Sequence, residues 1–199
     1  MDKILRTAEA LRKGGVKFIE VTFNQTKPTC IEDTAQAIRA IRQRYEDLYV
    51  GAGTVLTEEQ VVAAYEAGAQ YIITPNTNVS VIKKASKLNM VTISGALTPT
   101  EVVMAYEAGA TFVKVFPVVG LGVEYIKAIK APLSHIPIMA VGGVDLSNME
   151  KFYRAGACGF GIGGCMVNKE LIDVGDYEGL YKLAKQYVDA TNMLREEIQ

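Results

Sequence analysis

Four times along this chain a helical pattern ends on glycine and turns at once into a strand. The junctions are Lys13-Gly14-Gly15-Val16, Ala64-Tyr65-Glu66-Ala67-Gly68-Ala69, Ala105-Tyr106-Glu107-Ala108-Gly109-Ala110 and Arg154-Ala155-Gly156-Ala157. Glycine is the natural stop of a helix, and near-identical punctuation every forty to fifty residues or so is an internal repeat. Helices alternating with strands in this way imply βα units around a parallel sheet. Strand character falls at 16–23, 49–55, 70–74, 90–94, 112–116, 138–141 and 159–162. Helical spacing falls at 3–13, 31–45, 58–67, 79–88, 100–108, 123–129, 146–155 and 177–193, with Thr57 and Thr98 as caps.

An open doubly wound sheet and a closed βα barrel both fit that alternation. Polar residues stand at the C-terminal end of nearly every strand: Glu20 and Thr22, Thr54, Thr74, Ser94, Lys114, Gly142-Gly143 and Gly163-Gly164. Strand ends that all contribute are the mark of a barrel, whose termini converge on one mouth, whereas an open sheet gathers its contacts at one switch point. The expectation is a TIM-type barrel forming a single domain over residues 1–199.

Lys114 lies in the middle of Thr111-Phe112-Val113-Lys114-Val115-Phe116-Pro117, an otherwise apolar strand. Strand alternation puts it on one face with Phe112 and Phe116. A desolvated ammonium has its pKa pushed down, and a partly neutral amine is the nucleophile that forms a Schiff base with a carbonyl. The plainer alternative is a lysine that snorkels or makes a structural ion pair. On the strand at 16–23, Phe18, Glu20 and Thr22 share the inward face, so Glu20 and Lys114 are expected to occupy one cavity. A carboxylate beside such a lysine can move the protons of carbon–carbon cleavage, or can simply be its salt-bridge partner. Gly142-Gly143 and Gly163-Gly164 follow the last two strands, where backbone N–H groups of a barrel often hold phosphate.

Other chemistries have little to work with. The 21 basic and 22 acidic residues are interspersed, leaving no basic block for nucleic acid. No apolar run is long enough to span a membrane, and Met1-Asp2-Lys3-Ile4-Leu5-Arg6 has no signal-peptide core, so a cytoplasmic location is expected. Cys30, Cys158 and Cys165 lack metal-type spacing, and the single histidine, His135, precedes the strand at 138–141 in a poor position for a triad. No metal and no cofactor are expected.

The segments from Gly14 to Thr22, Val50-Gly51-Ala52-Gly53-Thr54-Val55, Ile73-Thr74-Pro75, Val113 to Pro117, Gly142-Gly143 and Ile162-Gly163-Gly164 resemble, in order and spacing, the class I 2-keto-3-deoxy-6-phosphogluconate / 4-hydroxy-2-oxoglutarate aldolases. The resemblance covers nearly the whole chain. It implies a metal-independent pyruvate aldolase on a (β/α)8 TIM barrel, assembled as a homotrimer, acting on a small keto acid that is phosphorylated. Lys114 would be the Schiff-base lysine and Glu20 the acid/base. Thr54 would hold the pyruvyl carboxylate, Phe116 would line the pocket, and the glycine pairs would hold the phosphate. Four positions depart from the family pattern: Asn24 stands in place of an arginine, Ser94 in place of a proline before Gly95, Val141 in place of a threonine, and Cys165 in place of a serine. Asn24, Ser94, Gly95 and Cys165 are nevertheless carried as substrate contacts. An unphosphorylated substrate, a non-catalytic sugar-phosphate-binding barrel, and an isomerase or decarboxylase are the rival readings. Family members open with a strand that is not recognisable here, since Met1 leads almost directly into the helix expected after it. A shortened form is the expectation, with a seven-stranded arc closed by side chains or by a neighbouring subunit as the alternative.

Overall fold

A computed structural model describes residues 1–196. The elements follow one another as α1 (Asp2–Lys13), β1 (Phe18–Thr22), α2 (Cys30–Arg44), β2 (Tyr49–Gly53), α3 (Glu58–Glu66), β3 (Tyr71–Ile73), α4 (Val79–Lys87), β4 (Val91–Ala96), α5 (Pro99–Glu107), β5 (Phe112–Val115), α6 (Gly122–Lys130), β6 (Ile138–Val141), α7 (Met149–Arg154), β7 (Gly159–Gly161), α8 (Lys169–Val174) and α9 (Tyr177–Glu196). The repeated junction is one repeated turn. Gly15, Gly68, Gly109 and Gly156 all take positive φ, and the residue after each donates its N–H to the carbonyl five residues back, as in Ala69 to Ala64 and Ala110 to Ala105. That pairing satisfies the last helical carbonyls and launches the next strand in one step. Asn89, at φ 55°, makes a fifth such turn between α4 and β4. The caps also form: Thr57 accepts the N–H of Gln60, and Thr98 with Glu101 makes a reciprocal capping box.

Two local expectations change. The helix expected from 146 begins at Met149, because the Asp145 carboxylate accepts the N–H and hydroxyl of Ser147 and holds residues 145–148 in a turn. Helix α8 was not anticipated. Its ends are nonetheless written in the chain, in Asn168 accepting the N–H of Leu171 and in Gly175 taking the left-handed conformation.

All seven strands are parallel and lie in sequence order, β1 through β7, so the sheet curls into a barrel-like arc. Among the described residues β1 and β7 are paired on one side only. Across the sheet, register fixes which side chains share a face. Val50, Ala52, Ile72, Val113 and Ile138 point outward and are fully buried under the helices. Each fully buried Val or Ile contributes about 1.5–3 kcal/mol, so this outer layer holds the arc in shape. Where the ladder does not close, helices do. Ala10 and Leu11 of α1 pack on Leu180 and Ala184 of α9, with Ile19 of β1 against the same cluster. The inner face is more open on the β1 side, where Phe18 is 65% exposed and stacks on Tyr49 at 4.9 Å between ring centroids.

Candidate active site

Lys114 and Glu20 both project into the arc, Lys114 from β5 and Glu20 from β1. In register, Gly95, Lys114 and Met139 form one inward row, and Glu20, Gly51 and Tyr71 form another. The ammonium of Lys114 sits 4.5 Å from the centre of the Phe116 ring, a cation–π contact within its own strand end. Burial pushes the Lys114 pKa below the ordinary lysine value, and the negative charge of Glu20 opposes part of that shift. Burial pushes the Glu20 carboxyl above its ordinary value, while Lys114 and a hydrogen bond from Thr22 pull it back. Glu20 as a residue stays open to solvent, while its carboxyl end lies against Gly53. The two groups influence one another across the interior without forming a contact ion pair. In both, desolvation outweighs attraction, which brings an amine and a carboxyl closer to the range in which each can exchange protons.

The inward positions of β2 explain how these groups fit. A Cβ on Gly53 would lie 1.5 Å from a Glu20 carboxylate oxygen, and one on Gly51 would lie 2.1 Å from the Tyr71 ring. Glu20 from β1 and Tyr71 from β3 therefore lean over β2 from opposite sides, resting on successive inward glycines. Since the carboxyl is the mobile end of its side chain, Gly53→Ala is expected to keep the fold and displace Glu20. Displacement by about 1 Å can lower turnover about 10²-fold. The check is kcat beside the circular-dichroism spectrum; an unchanged kcat would show that Gly53 does not set the carboxyl position.

The remaining expected contacts divide. Thr54 lies directly after β2 with φ 53°, an uncommon conformation for a β-branched residue, costing of order 1–3 kcal/mol. Gly142 and Gly143 both take positive φ after β6, and a Cβ on Gly142 would press on the Phe116 ring at 3.0 Å, so this pair is shaped around the site. Gly163 and Gly164 are exposed beyond β7, with open space where side chains would be, and Cys165 beside them is exposed too. Gly95 is in register with Lys114, and the backbone of Pro75 occupies the space a side chain would need. Thr74 and Thr77 hold that residue from both sides: Thr74 accepts the Gly95 N–H, and Thr77 donates to its carbonyl.

Ser94 does not face the site. The alternation that aims Gly95 and Lys114 inward turns Ser94 outward, where it is fully buried and pairs with the Thr74 hydroxyl at 3.4 Å. Asn24 spends its carbonyl oxygen on the N–H and hydroxyl of Thr26, closing the turn after β1. Tyr71 was not anticipated as part of the site. It is buried on the inward face, and burial together with the Glu20 charge pushes its phenol pKa up, so it is neutral throughout the ordinary pH range. Its inward alternation with Ile73 was the available signal.

Fold and site together define a βα-barrel-like enzyme with an internal lysine and carboxyl. More narrowly, the chain belongs to the KDPG and KHG aldolase family, whose model matches residues 1–183, and it is a carbon–carbon lyase. It is 35% identical over 192 residues to 2-dehydro-3-deoxy-phosphogluconate aldolase of Haemophilus influenzae, covering 94% of this chain and 86% of the relative. It is 36% identical over 164 residues to 2-dehydro-3-deoxy-6-phosphogalactonate aldolase of Escherichia coli K12, covering 81% and 77% respectively. Among solved structures, KDPG aldolase from Legionella pneumophila, with pyruvate captured as a covalent carbinolamine, superposes with a TM-score of 0.82 at 26% identity, over 92% of this chain and 87% of that one.

Proposed function

We propose that this protein is a class I aldolase that cleaves a 2-keto-3-deoxy-6-phospho sugar acid to pyruvate and an aldehyde such as glyceraldehyde 3-phosphate. The observation that carries the reading is the inward-facing, desolvated Lys114 coupled electrostatically to Glu20. In its neutral form the Lys114 amine attacks the C2 carbonyl of the substrate, and the resulting carbinolamine loses water to give an iminium. Glu20 takes the proton of the C4 hydroxyl as the C3–C4 bond breaks, the bonding electrons pass into the iminium, and the aldehyde departs. The enamine left on Lys114 regains a proton at C3, and water releases pyruvate and the free amine. Phe116 lines the pocket beside the ammonium, and the amides of the two glycine loops receive the phosphate.

In this reading the protein is a homotrimer acting in the cytoplasm. No described helix is long and apolar enough to cross a membrane. The gluconate- and galactonate-derived substrates of the relatives differ only in stereochemistry at C4, and 4-hydroxy-2-oxoglutarate lacks the phosphate. Pyruvate release from each of the three, measured with the same preparation, tests the assignment. Inorganic phosphate is expected to compete with the six-carbon substrates, and substrates lacking phosphate should show a KM about tenfold or more higher, since charged hydrogen bonds contribute about 1.5–3 kcal/mol each. Equal KM values with and without the phosphate would move the assignment to 4-hydroxy-2-oxoacids.

A further inference from the structure

The carbonyl of Thr54, a residue in the left-handed conformation, accepts from the first of two linked glutamines that stand outside the lysine–carboxyl pair. Gln25 Nε2 donates to the Thr54 carbonyl at 2.7 Å, Gln60 Nε2 donates to Gln25 Oε1 at 2.9 Å, and the N–H of Leu56 donates to Gln60 Oε1 at 2.7 Å. Gln60 is anchored at both ends. The residue is only 4% exposed, and its own N–H is bound by the Thr57 hydroxyl that caps α3. Gln25 is presented by the turn that Asn24 closes. These bonds tie the start of α3, the loop after β1 and the end of β2 to one carbonyl, and none of them uses the Thr54 hydroxyl.

Strained residues persist only where their surroundings over-determine them, and they gather at binding sites. Strand alternation alone would send residue 54 outward, as it sends Ala52, which is fully buried beneath the helices. The left-handed turn breaks that alternation at the rim of the site, one residue beyond the glycine on which the Glu20 carboxyl rests. Thr54 is accordingly only half-buried.

We infer that Gln60 and Gln25 are positioning residues whose relay holds Thr54 with its hydroxyl toward the carboxylate of the bound 2-keto acid. The inference rests on the aldolase reading. Glutamine side chains are suited to such a chain because each amide both donates and accepts. Glycine adopts left-handed backbone without strain, so a glycine at 54 has no need of the relay and also lacks the hydroxyl.

A double-mutant cycle on the intact protein separates this role from loop stabilisation. Gln25→Leu, on an exposed loop, is expected to raise KM for the six-carbon substrate about tenfold with kcat within about twofold, the pattern of a lost contact made equally in ground and transition states. The pyruvate concentration that half-saturates borohydride trapping on Lys114 should rise by the same factor. Thr54→Gly should raise KM at least as far, and adding Gln25→Leu to it should change nothing more, because residues acting through one another are not additive. Gln60→Leu should match Gln25→Leu; if it fails to fold, Gln25→Leu carries the test. A parent-like KM in Gln25→Leu or Thr54→Gly overturns the relay. So does an equal further rise in the Thr54→Gly background, or a loss confined to kcat or melting temperature. If the parent traps pyruvate on Lys114 while the relay variants behave like the parent, the relay falls and the aldolase reading stands; if the parent traps none, both fall.

Discussion

Lys114→Arg is expected to lower aldol cleavage by about 10⁴-fold or more, the scale seen when a covalent nucleophile is removed. Arginine keeps the positive charge beside Glu20 and can still lie over the Phe116 ring, so the fold and its electrostatics should survive. It has no free pair to offer a carbonyl at any ordinary pH, and no imine can form. The substitution therefore separates a nucleophilic lysine from a structural one. A snorkelling or salt-bridging Lys114 would tolerate arginine with little loss. The measurement is kcat/KM for pyruvate release together with the melting temperature, and near-parent activity in the variant would remove the class I mechanism.

Glu20→Gln is expected to lower kcat by about 10²-fold or more, the usual loss on removing a positioned acid or base, while leaving imine formation with pyruvate detectable. The same variant carries a stability signature whose sign follows from the raised carboxyl pKa. A carboxyl whose folded pKa exceeds its unfolded value binds more protons folded than unfolded, so its contribution to stability declines as pH rises from about 4.5 through the folded pKa. Glutamine does not titrate. The melting temperature of Glu20→Gln should therefore gain on the parent as pH rises through that window and converge with it below. A variant with parental kcat would reduce Glu20 to a structural partner of Lys114.

Much of this was legible in the sequence, for reasons that lie in local chemistry. The glycine junctions announced the βα repeat because a left-handed residue after a helix is a local requirement, met by Gly68 and Gly109 without reference to the rest of the fold. Inward alternation on β1 and β5 was enough to place Glu20 and Lys114 on one face, since register in a parallel sheet preserves sidedness. The same rule, followed through β4, sends Ser94 outward. A position beside Gly95 drew it into the expected site, although one step along a strand reverses the face. Asn24 illustrates a different limit: that its carbonyl oxygen closes a turn depends on Thr26 two residues on, a local hydrogen bond that strand alternation does not report.

Alternation could place Tyr71 inward, but its use, like the Gln25–Gln60 relay, depends on contacts between distant segments. A tyrosine in a strand reads as core until Gly51, twenty residues earlier, is seen to leave the space its ring fills. Gln60 reads as a surface helix residue until Leu56 and Gln25 converge on its amide. The glycines of β2 gave a motif without revealing its use. Their function is to leave the inner face bare so that neighbouring strands can lay a carboxyl and a phenol across it.

In the proposed mechanism Lys114 forms the covalent bond to substrate. Incubation of the protein with pyruvate and borohydride, followed by peptide mass spectrometry, tests it most directly. A single reduced pyruvyl adduct is expected on the peptide containing Lys114, absent from Lys114→Arg and formed in parallel with loss of aldol cleavage. Failure to trap any adduct, or an adduct on another lysine with Lys114 unmodified, would contradict it.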